Sequence, residues 1–157
     1  MRKVVANTTP LIALADIGQL ELLHQLYGEI FIPTAVLNEI ESEPAKTRVK
    51  NADWIKVVEV SQENNYEFSS RLHAGEIAVI RLAQEQNADL LLMDDNAAKK
   101  TAKFIGLTVT GSFGVLIKAK KEGFIKEVKP LMNALIQDGL YVDEEVRNMV
   151  LKVAEET

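Results

Sequence analysis

The chain has 157 residues, 47% of them apolar and 26% charged, which is the composition of one globular domain, expected to span residues 1–157. It holds no cysteine, which excludes a disulfide framework and a thiolate metal site. Its 18 basic and 23 acidic side chains give a formal net charge of −5, so bulk charge does not favour a nucleic-acid backbone and only a local basic patch would.

In chain order, "KVVA" reads as a strand that breaks off at Asn7, and "PLIALADIGQLELLHQLYG" as one or two helices. Arg2-Lys3 is followed by an apolar run broken too soon for a secretion signal. "EIFIP" is the second strand, and the helix "TAVLNEIESE" starts behind Pro33. A polar helix or loop over residues 44–53 leads to "WIKVVEV", an edge strand or arm. Helical pattern returns through "ENNYEFSSRL" and strongly in "AGEIAVIRLAQEQ". "DLLLMD", a continuous apolar run bounded by acids, has the pattern of a buried parallel strand. "DNAAKKTAKFIG" is a helix closed by Gly106, and "LTVTG" a further strand. "SFGVLIKAKKEG", "VKPLMNALIQDG" and "DEEVRNMVLKVAEE" are helices, with Gly123 and Gly139 as C-terminal caps. No apolar stretch approaches the ~20 residues that span a bilayer, and the chain is expected to be soluble and cytoplasmic. Strands alternating with helices imply right-handed crossovers and an α/β fold, a mainly parallel sheet between helical layers.

The functional crevice of such a sheet lies at the carboxyl ends of its strands. Those ends carry Asn7, Pro33-Thr34, Asp94-Asp95 and Thr110-Gly111-Ser112. Adjacent carboxylates at Asp94 and Asp95 repel unless a cation or donors offset them, although one Asp is readily explained as a helix cap. Glu76 has Val79, Ile80 and Ala83 at i+3, i+4 and i+7, which puts it on a buried stripe, where it needs a partner. The plain alternative is a first-turn cap, or a pair with Arg71. Glu39, beside the stripe Val36, Leu37 and Ile40, is placed to lean over the crevice; alone it reads as a surface residue. Thr9 and Pro10 supply a helix cap and a first-turn proline, which frees Asn7 for the crevice. Lys99 and Lys103, one turn apart, are placed to contact phosphates, or else form a solvated face, as Lys118, Lys120 and Lys121 do.

These residues together resemble the PIN-domain superfamily, the metal-dependent ribonuclease fold of VapC-type toxins, and within it a branch of prokaryotic PIN-like nucleic-acid-binding proteins. The resemblance runs through "VVANTTPLIALADIGQLELL", "IFIPTAVLNEI" and the long block "HAGEIAVIRLAQEQNADLLLMDDNAAKKTAKFIGLTVTGSFGVLIKAKKEG". It implies a three-layer α/β/α fold and an acidic site for Mg²⁺ or Mn²⁺. Asn7 falls where most PIN domains place their first aspartate, with Thr9 as its hydroxyl companion. Glu39 falls on the glutamate of the second helix, Asp94 and Asp95 on the third acidic position and its neighbour, and Glu76 on the Gly-Glu of the branch. The first acid is thus an amide, and the last acidic position, near Ser112, has no carboxylate. Two neutral positions weaken a two-ion site, and one ion is expected.

The resemblance implies RNA phosphodiester hydrolysis, with Asp94, Glu39, Asp95 and Glu76 as the catalytic acids and Asp94, Glu39, Asn7 and Asp95 around the ion. Thr9, Lys99, Lys103 and Ser112 are the residues expected to meet substrate. It further implies RNA as partner, a small antitoxin and a homodimer. The rival is a catalytically weakened PIN-like module that binds RNA or a protein. A phospho-acceptor receiver domain fits less well, since its early strand would end in acids, and a dinucleotide-binding domain lacks its Gly-x-Gly-x-x-Gly.

Overall fold

Val4, Val5 and Ala6 are fully buried and form β1 (Val4–Ala6). The next apolar stretch becomes two helices, α1 (Thr8–Asp16) and α2 (Glu21–Tyr27). Gly18 separates them at φ +73°, a left-handed conformation that residues with a Cβ resist. β2 (Ile30–Pro33) passes directly into α3 (Thr34–Glu39). α3 ends at Glu39 rather than running on to Glu43, because Ile40 takes an extended conformation and is 3% exposed in the core. The polar stretch that follows is a helix, α4 (Ala45–Asn51), anchored by the buried Ala45 and Val49. β3 (Ile55–Val58), α5 (Ala74–Glu85), β4 (Leu90–Leu92), α6 (Asn96–Phe104) and β5 (Val109–Thr110) follow. α7 (Ser112–Lys121), α8 (Lys129–Gln137) and α9 (Glu144–Val153) come last. This computed structural model describes residues 3–60, 74–140 and 142–157. The helix expected through "ENNYEFSSRL", together with Arg71, lies outside the described residues. No helix among the described residues is long and apolar enough to cross a membrane.

The strands form one five-stranded, parallel sheet in the order β3-β2-β1-β4-β5. β3 is the edge strand expected from "WIKVVEV". β1 and β4 pair from Val4↔Leu90 to Ala6↔Leu92 and are buried along their whole length, as strands covered on both faces must be. α5 packs on β1, β2 and β4, while α2 and α7 pack on each other and on β2 and β5 respectively. The expected α/β/α layering is the observed fold. The path of the chain decides what this sheet can do. β1, β2 and β3 step one way across it; β4 and β5 step the other way. The order therefore reverses between β1 and β4, and such a reversal opens the crevice in which open α/β sheets bind ligands.

The last turn of the chain ties the later helices together. The Glu156 carboxylate accepts from the backbone N–H of Val128 at 2.7 Å and of Lys129 at 2.8 Å, and pairs with Lys120 Nζ at 2.9 Å. Burial pushes this carboxyl up, but the three donors outweigh burial and hold it below the ordinary range.

Candidate functional site

The reversal point is built first from Asn7. Its N–H donates to the Leu92 carbonyl at 2.8 Å and joins the carboxyl ends of β1 and β4. The expected cap at Thr9 with Pro10 behind it is corrected here: α1 starts at Thr8, and Asn7 itself holds the N-cap position with an extended backbone. Pro10 is tolerated within the helix because the first-turn N–H groups have no helical acceptor to lose. The Asn7 side chain nevertheless does not cap the helix. The residue is 4% exposed, and Oδ1 is buried with no hydrogen-bond partner among the described residues. A buried acceptor left unpaired costs about 1–3 kcal/mol.

The adjacent acids part company. Asp95 caps α6, its Oδ2 accepting from Ala98 N–H at 2.9 Å. Asp94 turns instead to α7: Oδ1 accepts from Ser112 N–H at 2.8 Å and Oδ2 from Ser112 Oγ at 2.7 Å. The Asp94 carboxylate therefore lies at the positive end of a helix dipole, with two donors fixing its plane. Gly111 makes this approach sterically open, since a Cβ there would lie 2.6 Å from Asp94 Oδ1 and 2.9 Å from Lys99 Nζ. Ser112, expected to meet substrate, is wholly buried, and its hydroxyl donates to Asp94. That bond fixes the orientation of the acid.

Glu39 reaches the same end of the sheet from the last residue of α3, its Oε2 accepting from Thr8 Oγ1 at 2.7 Å. A Cβ on Gly75 would fall on the Glu39 carboxylate, so the start of α5 is shaped to receive it. The hydroxyl that meets Glu39 is that of Thr8. Thr9 is exposed and lines a separate recess with Asp16 and Asp138, where burial, together with the hydrogen bond and charge of Asp138, raises the Asp16 carboxyl above its usual range. Glu76 follows directly on Gly75 and is 6% exposed, on the stripe where Val79, Ile80 and Ala83 are fully buried. It is not without a partner. Thr8, Gly75 and Gly111 are the positions that sequence reasoning missed. The glycine of the Gly75-Glu76 pair was the available signal for one of them.

Lys99 is half-buried beside Asp94, and Lys103 lies one turn along α6, exposed. A recess of about 140 Å³ opens against Asp94 and Lys99. Among the described residues no three His, Asp or Glu side chains converge into a ready-made metal cage. The groups at the carboxyl ends of the strands are amide, hydroxyl and carboxylate oxygens, the donor types that hard cations such as Mg²⁺ and Mn²⁺ take. The unpaired Asn7 Oδ1 adds a buried acceptor to that set. These residues fit one ion completed by water.

Among known families, the model of DUF3368, a PIN domain, matches residues 3–156. No match was found among curated proteins.

Proposed function

Because the chain belongs to the PIN domain family, whose members share a nuclease-type fold, bind nucleic acids and generally use divalent metals, we propose that it is a metal-dependent endoribonuclease of the VapC toxin type. One observation carries this reading. At the strand-order reversal, Asp94 is oriented by two donors from Ser112, and Asn7, tied by its N–H to Leu92, holds a buried Oδ1 with no hydrogen-bond partner among the described residues. Nothing in the folding of α1 or α7 alone requires that combination.

Asp94 and Glu39 would hold a single Mg²⁺ or Mn²⁺, with Asn7 Oδ1 as a neutral ligand and Asp95 through its uncommitted oxygen or a water. Once bound, the ion supplies Lewis-acid charge that activates water and offsets the negative charge building on the phosphate. Ser112 keeps the Asp94 carboxylate in one orientation, and Thr8 does the same for Glu39. Glu76 supports the site from the buried face of α5. Lys99, beside Asp94, attracts the phosphate, and Lys103 extends that attraction along α6.

The test is cleavage of mixed RNAs by purified protein with Mn²⁺ or Mg²⁺, with an EDTA control and Asp94→Ala alongside. We expect Asp94→Ala to lose roughly 100-fold or more in rate. Equal cleavage by Asp94→Ala would overturn the assignment. A second reading, a PIN-like module that binds RNA or a protein without cutting, is favoured by the amide at Asn7 and by the absence of a carboxylate at Thr110-Gly111-Ser112. RNA retention without cleavage by either protein would establish it. As partners, a small antitoxin would occupy the acidic crevice, and a second copy of this chain would dock on α9, where Met149 and Val153 are 57% and 48% exposed.

A further inference from the structure

We propose that the recess against Asp94 is a nucleobase slot, which selects the base flanking the scissile phosphate in single-stranded RNA; this rests on the nuclease reading above. The slot is assembled from the starts of three helices. α6 contributes Asn96 and Lys99, α7 contributes Phe113, and Asp143 and Val146 come from the start of α9, with Leu140 before it. Its volume of about 140 Å³ is far below that of a drug-sized site. At about 30 Å³ per water in the liquid, it has room for about five waters, or one flat ring system, but not a whole nucleotide.

The lining decides the chemistry of the occupant. Phe113, Leu140 and Val146 offer an aromatic and aliphatic wall of the kind on which bases stack. Asn96 and Asp143 offer hydrogen-bonding groups for the edge of the ring. A phosphate wholly inside the slot would face the carboxylates of Asp94 and Asp143, with Lys99 the one cation among the described lining residues, so the slot favours the base and leaves the phosphate at its rim beside Lys99. A bare cation would gain nothing from the apolar wall. A neutral heterocycle with an N–H edge uses both halves.

Asp143 gives the slot a preference among bases. Its Oδ1 caps α9 by accepting from Val146 N–H at 2.8 Å, which fixes the carboxylate, and Oδ2 takes no part in that cap. A fixed acceptor suits the exocyclic amino group of adenine, cytosine or guanine. It repels the two carbonyls of uracil. Lys99 lines the slot, and its Nζ stands with Asp94 Oδ1 over Gly111. A base in the slot therefore brings its own phosphate to the acid. A base already paired in a duplex does not present that edge, which sets the substrate as single-stranded.

The experiment is fluorescence anisotropy of labelled single-stranded hexanucleotides on the intact chain in EDTA, so that binding is read without cutting. Oligo-A, oligo-C and oligo-U are compared with oligo-A carrying abasic positions, and cleavage sites are mapped after Mn²⁺ is added. Oligo-A and oligo-C should bind about tenfold more tightly than the abasic strand or oligo-U, the scale of one stacked base. Val146→Trp, which fills the slot, should erase that difference. Asp143→Asn, an equally good helix cap, should keep stacking but lose the preference over uracil. Thermal melting of both variants confirms the fold. Cleavage with equal binding of abasic and base-bearing strands overturns the slot alone. Absence of both RNA binding and cleavage overturns the nuclease reading on which it rests.

Discussion

Two recesses among the described residues differ greatly in size, and the smaller of the two touches an acid of the candidate site. The large one, about 830 Å³, sits against the amino ends of β2 and β3, between the α1–α2 turn, α4 and Trp54. The small one, about 140 Å³, touches Asp94 at the carboxyl end of β4. In the large recess the polar groups close their own turns. The Glu43 carboxylate accepts from Thr47 N–H at 2.9 Å and Thr47 Oγ1 at 2.6 Å. His24 stacks on Trp54 with ring centroids 5.1 Å apart, and its Nδ1 lies 2.9 Å from the Gly28 carbonyl. At the small recess Asp94 is held by another element, α7, and beyond the recess Glu39 is likewise held by α1. Volume marks where helices fail to meet; strand order marks where side chains from distant segments are made to converge.

That contrast can be broken in three places, from the largest expected effect to the smallest. Trp54→Ala removes a side chain 7% exposed and should cost about 3–5 kcal/mol in urea denaturation, with RNA cleavage per folded molecule unchanged. A fall in turnover while the protein is fully folded would move function to the large recess. Gly75→Ala should have the opposite profile. Its new methyl group meets the mobile end of Glu39 rather than backbone, so stability should fall by less than about 1 kcal/mol, while cleavage drops roughly tenfold. An unchanged rate would remove Glu39 from the site.

Asp16→Asn, at the far end of α1, should act on stability alone. The raised carboxyl of Asp16 means that folding disfavours its charged form, through burial first and Asp138 second. Its stabilisation is complete below the unfolded value of 3.8 and is lost as pH rises through the folded value. Asn, neutral at every pH, should therefore raise the melting temperature at pH 7 by a few degrees at most, given solvent screening at this exposed residue, and make no difference near pH 3. Circular-dichroism melts at both pH values measure this, and a shift in cleavage rate would tie Asp16 to the site.

The layers and strands were readable because burial in a parallel sheet writes itself as apolar runs such as Leu90–Met93, bounded by acids. Asp95 was equally readable as a cap, since that bond spans three residues. Ser112 was legible at the end of its strand, but its burial and its bond to Asp94 were not, because they depend on how α7 meets β4. Thr8 was passed over for Thr9 because the hydroxyl that matters is chosen by Glu39, which is 31 residues away. Gly75 and Gly111 are demanded by side chains from other elements, and no local pattern records such an approach. That Asn7, Glu39 and Asp94 belong to one site is what the family resemblance implies, and spacing alone does not give it.

The pairing of β1 with β4 also sets the order in which a newly made chain can complete this end of the sheet. Asn7 and Glu39 emerge early, but Asn7 has no Leu92 carbonyl to meet, and Asp94 has no holder until Ser112 follows. Ser112 comes about 100 residues after Asn7, which at roughly 5–20 residues per second is about 5–20 s of synthesis. A chain halted before α7 carries Asn7, Glu39 and Asp94 but not the geometry that orients Asp94. On the nuclease reading, a chain halted before α7 is therefore expected not to cut.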